Sequence, residues 1–245
     1  LPNGHLIEPL EWRDEFLPWF DEWWSPGEHG AVVATTGAGK TTFVGGVLAR
    51  CRRYVLALDA KGGDGTLGRL GFERVAKWPG AREMRRRVMA NDEHDLPSRF
   101  VVGAVSHAVD AIEQLESTLK HALDDAWSMG GWTVYADELQ VMTDPRMMNL
   151  RRECDRMLVA ARDRDISFVS SYQSPSWVTP HASRQAKWVA VSYTRDRDVV
   201  RRLSEVLGRP KDEIVGAMSA MEPYSFMVVG LNPNEPYRVT IPDEV

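Results

Sequence analysis

The chain has 245 residues, 43% hydrophobic and 27% charged, a globular balance that excludes wholesale disorder and collagen-like repeats. No apolar run approaches the roughly 20 residues that span a bilayer, and Leu1-Pro2-Asn3-Gly4-His5 lacks the basic and apolar regions of a secretion signal. Thirty Lys and Arg against 35 Asp and Glu give a net charge of −5, which speaks against a uniformly basic nucleic-acid binder but not against a local basic track. The charge is uneven: residues 1–28 hold seven acids and Arg13 alone, whereas residues 181–202 hold six basic residues against Asp196 and Asp198. Cys51 and Cys154 form no CxxC pair, and the six histidines are scattered, so a reducing, cytoplasmic setting without a zinc site is expected.

Residues 10–24 read as an amphipathic helix, with Trp12, Phe16, Trp19, Phe20 and Trp23 at helical spacing and Pro18 as a kink. This acidic, Trp-rich extension (1–28) either packs on the following domain (29–245) or offers aromatics to a partner. Strands are then predicted over Ala31–Thr36, Tyr54–Ala60, Phe100–Val105, Thr133–Asp137, Ile166–Tyr172 and Trp188–Tyr193. Helices lie between them, one with Ile112, Leu115, Leu119, Leu123 and Trp127 on one face, another with Met148 to Ala161. Strands alternating with helices predict an α/β fold with a mostly parallel sheet flanked by helices. Phe226–Leu231 and Tyr237–Ile241, joined by Asn-Pro-Asn-Glu-Pro, predict a C-terminal β-hairpin.

The first strand runs into Ala34-Thr-Thr-Gly-Ala-Gly-Lys-Thr41, followed by a helix, which is the setting a phosphate-binding P-loop requires. Thr36, Gly37, Ala38, Gly39, Lys40, Thr41 and Thr42 are the candidate nucleotide-binding residues. Glycines let the backbone N–H groups turn inward, the helix N-terminus adds positive potential, and Lys40 reaches the β- and γ-phosphates. The Thr41 hydroxyl is a candidate Mg²⁺ ligand. Trp132-Thr-Val-Tyr-Ala-Asp-Glu138 supplies the complementary strand, with Asp137 holding the Mg²⁺ hydration shell and Glu138 polarising the attacking water. Glu138 and the strand candidate between the two motifs point to P-loop ATPases with an additional central strand, a RecA-like fold. The absence of an NKxD-type guanine-reading motif favours ATP, and no lid with paired arginines suggests a kinase.

Tyr54-Val-Leu-Ala-Leu-Asp-Ala-Lys-Gly-Gly63 resembles the "DPKG" second strand of the FtsK/HerA superfamily of DNA-pumping ATPases, with Ala60 in place of Pro. Residues 161–175 are similar to that superfamily's "GRxxGIxxxxxTQxP" segment: Arg162, Ile166, Gln173 and Pro175 match, while Ala161, Asp165 and Tyr172 depart. The resemblance covers roughly residues 30 to 241. It implies ATP-driven translocation of double-stranded DNA by a homo-oligomeric ring, a pentamer or hexamer. Gln173, ending a strand beside that of Asp137, would contact γ-phosphate and water, and Asp59 and Lys61 would be supporting polar groups or a strand-end ion pair. The resemblance places Arg162 as the arginine reaching a neighbouring subunit's γ-phosphate, with Arg164 next and Arg195 and Arg197 as further options. Candidate DNA-gripping loops are Lys61–Thr66, with the N–H groups of Gly62, Gly63 and Gly65, and Met142–Arg152, with Arg146, Arg151 and Arg152. Arg85–Arg87 is the densest basic triplet, on a predicted helix.

A domain of this size, with no membrane segment of its own, suggests viral genome packaging in the host cytoplasm, docked on a portal. Conjugation or mobile-element coupling at a membrane pore is the alternative, and a protein-directed assembly or secretion ATPase is a third reading.

Overall fold

The computed structural model describes residues 7–51, 54–62, 65–93, 99–103, 109–230, 232 and 235–243. In chain order these form β1 (Ile7–Pro9), a π-helical turn (Trp12–Phe16), α1 (Leu17–Trp23), β2 (His29–Val33), α2 (Lys40–Ala49), β3 (Tyr54–Asp59), α3 (Thr66–Arg69) and β4 (Glu73–Val75). There follow α4 (Ala81–Glu93), β5 (Arg99–Gly103), α5 (Val109–Met129), β6 (Trp132–Asp137), α6 (Leu139–Thr143), α7 (Arg151–Ala160) and a 3₁₀ turn (Arg162–Arg164). The chain continues through β7 (Ser167–Tyr172), a second 3₁₀ turn (Pro175–Trp177), α8 (Pro180–Arg184), β8 (Ala186–Ser192), α9 (Arg197–Leu207), α10 (Lys211–Ser219), β9 (Phe226–Gly230) and β10 (Tyr237–Thr240).

All ten strands join one sheet in the order β1-β10-β9-β8-β2-β7-β6-β3-β5-β4. The pairs from β8 through β4 are parallel, and β9 runs antiparallel to both β8 and β10. The expected mostly parallel sheet and terminal hairpin are both present. The expected strands recur with ends shifted by one to three residues; Ala104, Val105 and Leu231, at the ends of two of them, lie outside the described residues.

Both faces of the sheet are covered, and alternation along each strand divides the core in two. Leu56, Leu58, Trp132, Val134 and Ala136 face the layer built by α5, α7 and α8 through α10. Val55, Ala57 and Tyr135 face the other layer, with α2 and the N-terminal aromatics. Trp12, Phe16, Leu17 and Phe20 are buried there, Trp12 stacking on Phe16 at 5.2 Å and lying 5.7 Å from Phe43. The segment predicted as one helix over 10–24 is a π turn running into α1. Pro18 sits in the first turn of α1, directly after the π turn. β1 pairs parallel with β10 at the sheet edge, so residues 7–24 complete both the sheet and one core layer.

Candidate nucleotide site

In a parallel sheet, ligand sites gather beyond the carboxyl ends of the strands. Here β2 delivers the P-loop, β3 delivers Asp59 and Lys61, β6 delivers Asp137 and Glu138, and β7 delivers Gln173. The registers make these ends level: Val33 lies opposite Tyr172, and Asp59 opposite Asp137. In space β7 separates the P-loop strand from the Asp-Glu strand, whereas β5, which separates them in sequence, lies beyond β3. Gln173 therefore leaves its strand between Lys40 and Glu138.

Gly37 and Gly39 have φ of 80° and 84°, a conformation that L side chains rarely adopt, and this lets the loop fold back over the start of α2. Lys40 is buried and donates to the carbonyls of Ala34 (3.0 Å) and Thr35 (3.3 Å). Thr36, Gly37, Gly39, Lys40, Thr41 and Thr42 line one wall of a cavity of about 390 Å³, and Asp59, Lys61, Asp137 and Glu138 line another.

Glu138 is the centre of the polar contacts. Its Oε1 lies 2.9 Å from Lys61 Nζ and 3.5 Å from Lys40 Nζ; its Oε2 accepts from Gln173 Nε2 at 3.3 Å and from Gln140 Nε2. Only 3% of Glu138 is exposed. Burial opposes its ionisation, but the Lys61 hydrogen bond and the Lys40 and Lys61 charges outweigh that and hold its pKa below the usual 4.5. Its backbone is left-handed, φ 55°, a strained geometry for a non-glycine residue that puts the turn into α6 directly after β6.

Asp137 has different neighbours. The hydroxyls of Tyr135 and Ser171 each donate to its Oδ1 at 2.8 Å. Burial raises its pKa, the two hydroxyl bonds partly offset this, and the Glu138 and Asp59 charges add to the rise. Burial and the Asp137 charge keep the Tyr135 hydroxyl protonated, so it remains a donor. Ser171 Oγ also accepts from the Glu138 N–H at 3.2 Å, tying the two strand ends together.

Sequence reasoning did not single out Tyr135, Ser171 or Gln140. Tyr135 and Ser171 each precede a named residue by two on the same strand, so period-two alternation puts them on the same face as Asp137 and Gln173. Asp59 turns the following loop by accepting from the Gly62 N–H at 2.8 Å and lies 3.3 Å from Arg74, while Lys61 pairs with Glu138 instead. Gly63, named above as a backbone donor, lies outside the described residues.

Arg162 and Arg164 precede β7 and so lie at the opposite, amino edge of the sheet, away from this chain's own cavity. Arg164 sits over the Trp127 ring at 5.0 Å and donates to the Trp127 carbonyl at 3.2 Å. Arg195 and Arg197 follow β8 at the carboxyl edge. Arg146 is paired with Asp144, and Arg86 and Arg87 on α4 pair with Glu83.

The donor set suits Mg²⁺. Among the described residues no group of three His, Cys, Asp or Glu side chains could hold a metal ion by itself, and a site made of one hydroxyl, one carboxylate, phosphate and water is the kind Mg²⁺ takes. Both hydroxyl bonds fall on Oδ1 of Asp137, which would leave Oδ2 for metal-bound water, and Thr41 lines the same cavity.

No protein-family model matches the chain, and no curated protein matches it in sequence. Solved structures do. The DNA-packaging ATPase B204 of Sulfolobus Turreted Icosahedral Virus matches at TM-score 0.58 and 16% identity, covering 90% of this chain and 100% of that one. The genome-packaging NTPase B204 of Sulfolobus turreted icosahedral virus 2, in complex with ATP-gammaS, matches at TM-score 0.60 and 15% identity over 90% and 100%. VirB4 of Thermoanaerobacter pseudethanolicus matches at TM-score 0.60 and 11% identity over 99% and 97%. The chain has the RecA-like P-loop fold of these proteins. The expected fold class, additional central strand included, is borne out. Among the described residues no helix is long and apolar enough to cross a membrane.

Proposed function

We propose that the protein is a Mg²⁺-dependent ATPase that translocates double-stranded DNA as a homo-oligomeric ring, in viral genome packaging. The observation that carries this reading is the meeting of Lys40, Gln173 and Glu138 at the ends of three adjacent strands, in a chain matching the packaging NTPase B204 over that protein's whole length.

Lys40 and the inward N–H groups of the P-loop bind the β- and γ-phosphates. Thr41 and Asp137 would hold Mg²⁺, which when bound neutralises phosphate charge. Glu138, kept ionised by two ammonium groups, takes the proton of the attacking water. Gln173, already within reach of Glu138, contacts the water and the γ-phosphate from the neighbouring strand. Arg162, with Arg164 as the next choice, serves the site of the adjacent subunit, since its own cavity lies at the other sheet edge.

VirB4 also matches nearly the whole of this chain in fold, and conjugative DNA transfer through a membrane pore is the second reading. The test of the motor reading is steady-state ATP hydrolysis with Mg²⁺, with and without long double-stranded DNA. Several-fold stimulation by DNA is expected. Robust hydrolysis indifferent to DNA would refute the motor and favour an ATPase acting on protein partners.

A further inference from the structure

An ionised carboxylate has room for about four donors, two on each oxygen. Glu138 is surrounded by that many: Lys61 and Lys40 lie 2.9 and 3.5 Å from Oε1, and Gln173 and Gln140 donate to Oε2. In the mechanism proposed above, Lys40 and Gln173 turn to the phosphate and the water, which opens one place on each oxygen. Lys61 and Gln140 are then left, one on each side of the carboxylate. Lys61 is a half-exposed point charge on a flexible stem. Gln140 stands on firmer ground. It lies in α6, whose Leu139, Met142 and Thr143 are buried, and whose exit is held by the Leu150 N–H donating to the Met142 carbonyl at 2.8 Å.

The amide of Gln140 has no other work in the fold. Among the described residues its side chain bonds Glu138 alone, and its Oε1 is buried without a hydrogen-bond partner. A methionine would fill the same space without burying an unpaired carbonyl oxygen, so packing does not account for an amide here. Nor does phosphate binding: Gln140 is absent from the walls of the nucleotide cavity and lines instead a separate cavity of about 710 Å³ with Arg146, Arg151 and Trp177.

We propose that Gln140 is a positioning residue for hydrolysis, its amide N–H holding Oε2 so that the freed places on the Glu138 carboxylate face the attacking water. The assignment rests on the reading of Glu138 as the base. A neutral donor lowers the basicity of a carboxylate a little, whereas misplacing the reacting groups by 1 Å costs about a hundredfold, so positioning decides the sign of the effect.

The test is a double-mutant cycle on the full chain: kcat, KM and single-turnover rates of Mg²⁺-ATP hydrolysis, with binding of the non-hydrolysable analogue AMPPNP by calorimetry. In Gln140→Met, kcat should fall about ten- to a hundredfold, the scale of one hydrogen bond to a charged group. KM and AMPPNP affinity should stay at the wild-type values. Gln140→Glu, the same shape without the donor, should lose at least as much rate. In the Glu138→Gln background, Gln140→Met should change the single-turnover rate by less than about twofold, because no carboxylate is left to position. An equal loss in both backgrounds would overturn the proposal and make Gln140 structural. Unchanged kcat in Gln140→Met or Gln140→Glu, or loss of AMPPNP binding in Gln140→Met, would overturn it too. Equal rates for wild type and Glu138→Gln would instead overturn the base reading, and the positioning role with it.

Discussion

Replacing Glu138 by Gln separates chemistry from binding at this site. The swap keeps shape and an acceptor for Gln173, but removes the negative charge that lies 3.5 Å from Lys40 and 2.9 Å from Lys61. Loss of a positioned general base costs about 10²- to 10⁴-fold in rate, and the middle of that range corresponds to about 4 kcal/mol of barrier. Binding should move the other way. At an effective dielectric of about 20, a carboxylate at this distance attracts an ammonium with a gross energy on the order of 4 kcal/mol, much of it offset by desolvation of the buried pair. An incoming phosphate competes for Lys40 against that attraction, and in Glu138→Gln the competitor is gone. Single-turnover hydrolysis should therefore fall by about a thousandfold while AMPPNP binds at least as tightly as to wild type. The acid limb of the rate profile adds a sign. A pKa held below 4.5 leaves Glu138 ionised above that pH, so activity falls only as pH drops through the lowered value; Lys61→Ala should shift the limb upward. Hydrolysis by Glu138→Gln within tenfold of wild type, or loss of analogue binding, would refute the assignment.

Three further outcomes follow from the same geometry. His29 is buried, its Nδ1 accepts from the Phe168 N–H at 3.0 Å, and burial with the nearby Arg162 charge lowers its pKa from 6.5 to about 4. The unfolded chain therefore binds the extra proton first, and stability should fall by up to roughly 3 kcal/mol as pH drops from 6.5 to 4; urea titrations of His29→Asn should show a flatter dependence. Trp12→Ala should cost about 3–5 kcal/mol in urea unfolding, since the ring is buried against Phe16 and Phe43; a loss under 1 kcal/mol would detach the N-terminal segment from the core. Mixing Arg162→Ala with Glu138→Gln subunits should recover part of the ATPase activity that each lacks alone, because mixed interfaces pair an intact arginine with an intact glutamate; no recovery would remove Arg162 from the neighbouring site.

The P-loop and the Asp-Glu pair were legible in the sequence because their chemistry is local: a strand, a tight glycine turn and a helix within a few residues of each other. Gln173 was legible through the resemblance of residues 161–175 to a known family segment. β1 and β4 were not, since three-residue strands such as Ile7–Pro9 carry no alternation long enough to read. Trp12, Phe16 and Phe20 could equally face a core or a partner, because helical periodicity states which residues share a face and not what covers it. Only the sheet order decides that β7, and not β5, separates the two motifs in space. The pairing of Lys61 with Glu138 joins residues 77 positions apart, and no spacing rule reaches that far.

Asp137 and Glu138 are adjacent in the chain, yet their neighbours give them different work. Asp137 meets neutral donors, Tyr135 and Ser171, both on one oxygen, and burial raises its pKa. A carboxylate so held is fixed in place through one oxygen. Glu138 meets two ammonium groups and two amides, and its pKa is lowered. The left-handed turn at Glu138 is what separates the two: continued strand geometry would send the next side chain to the opposite face of the sheet. The strain at that single residue swings the carboxylate to the strand ends, beside Lys40 and Gln173. The two neighbouring carboxyls thus stand in opposite environments, one raised by burial and held by neutral hydroxyls, the other lowered by two ammonium groups.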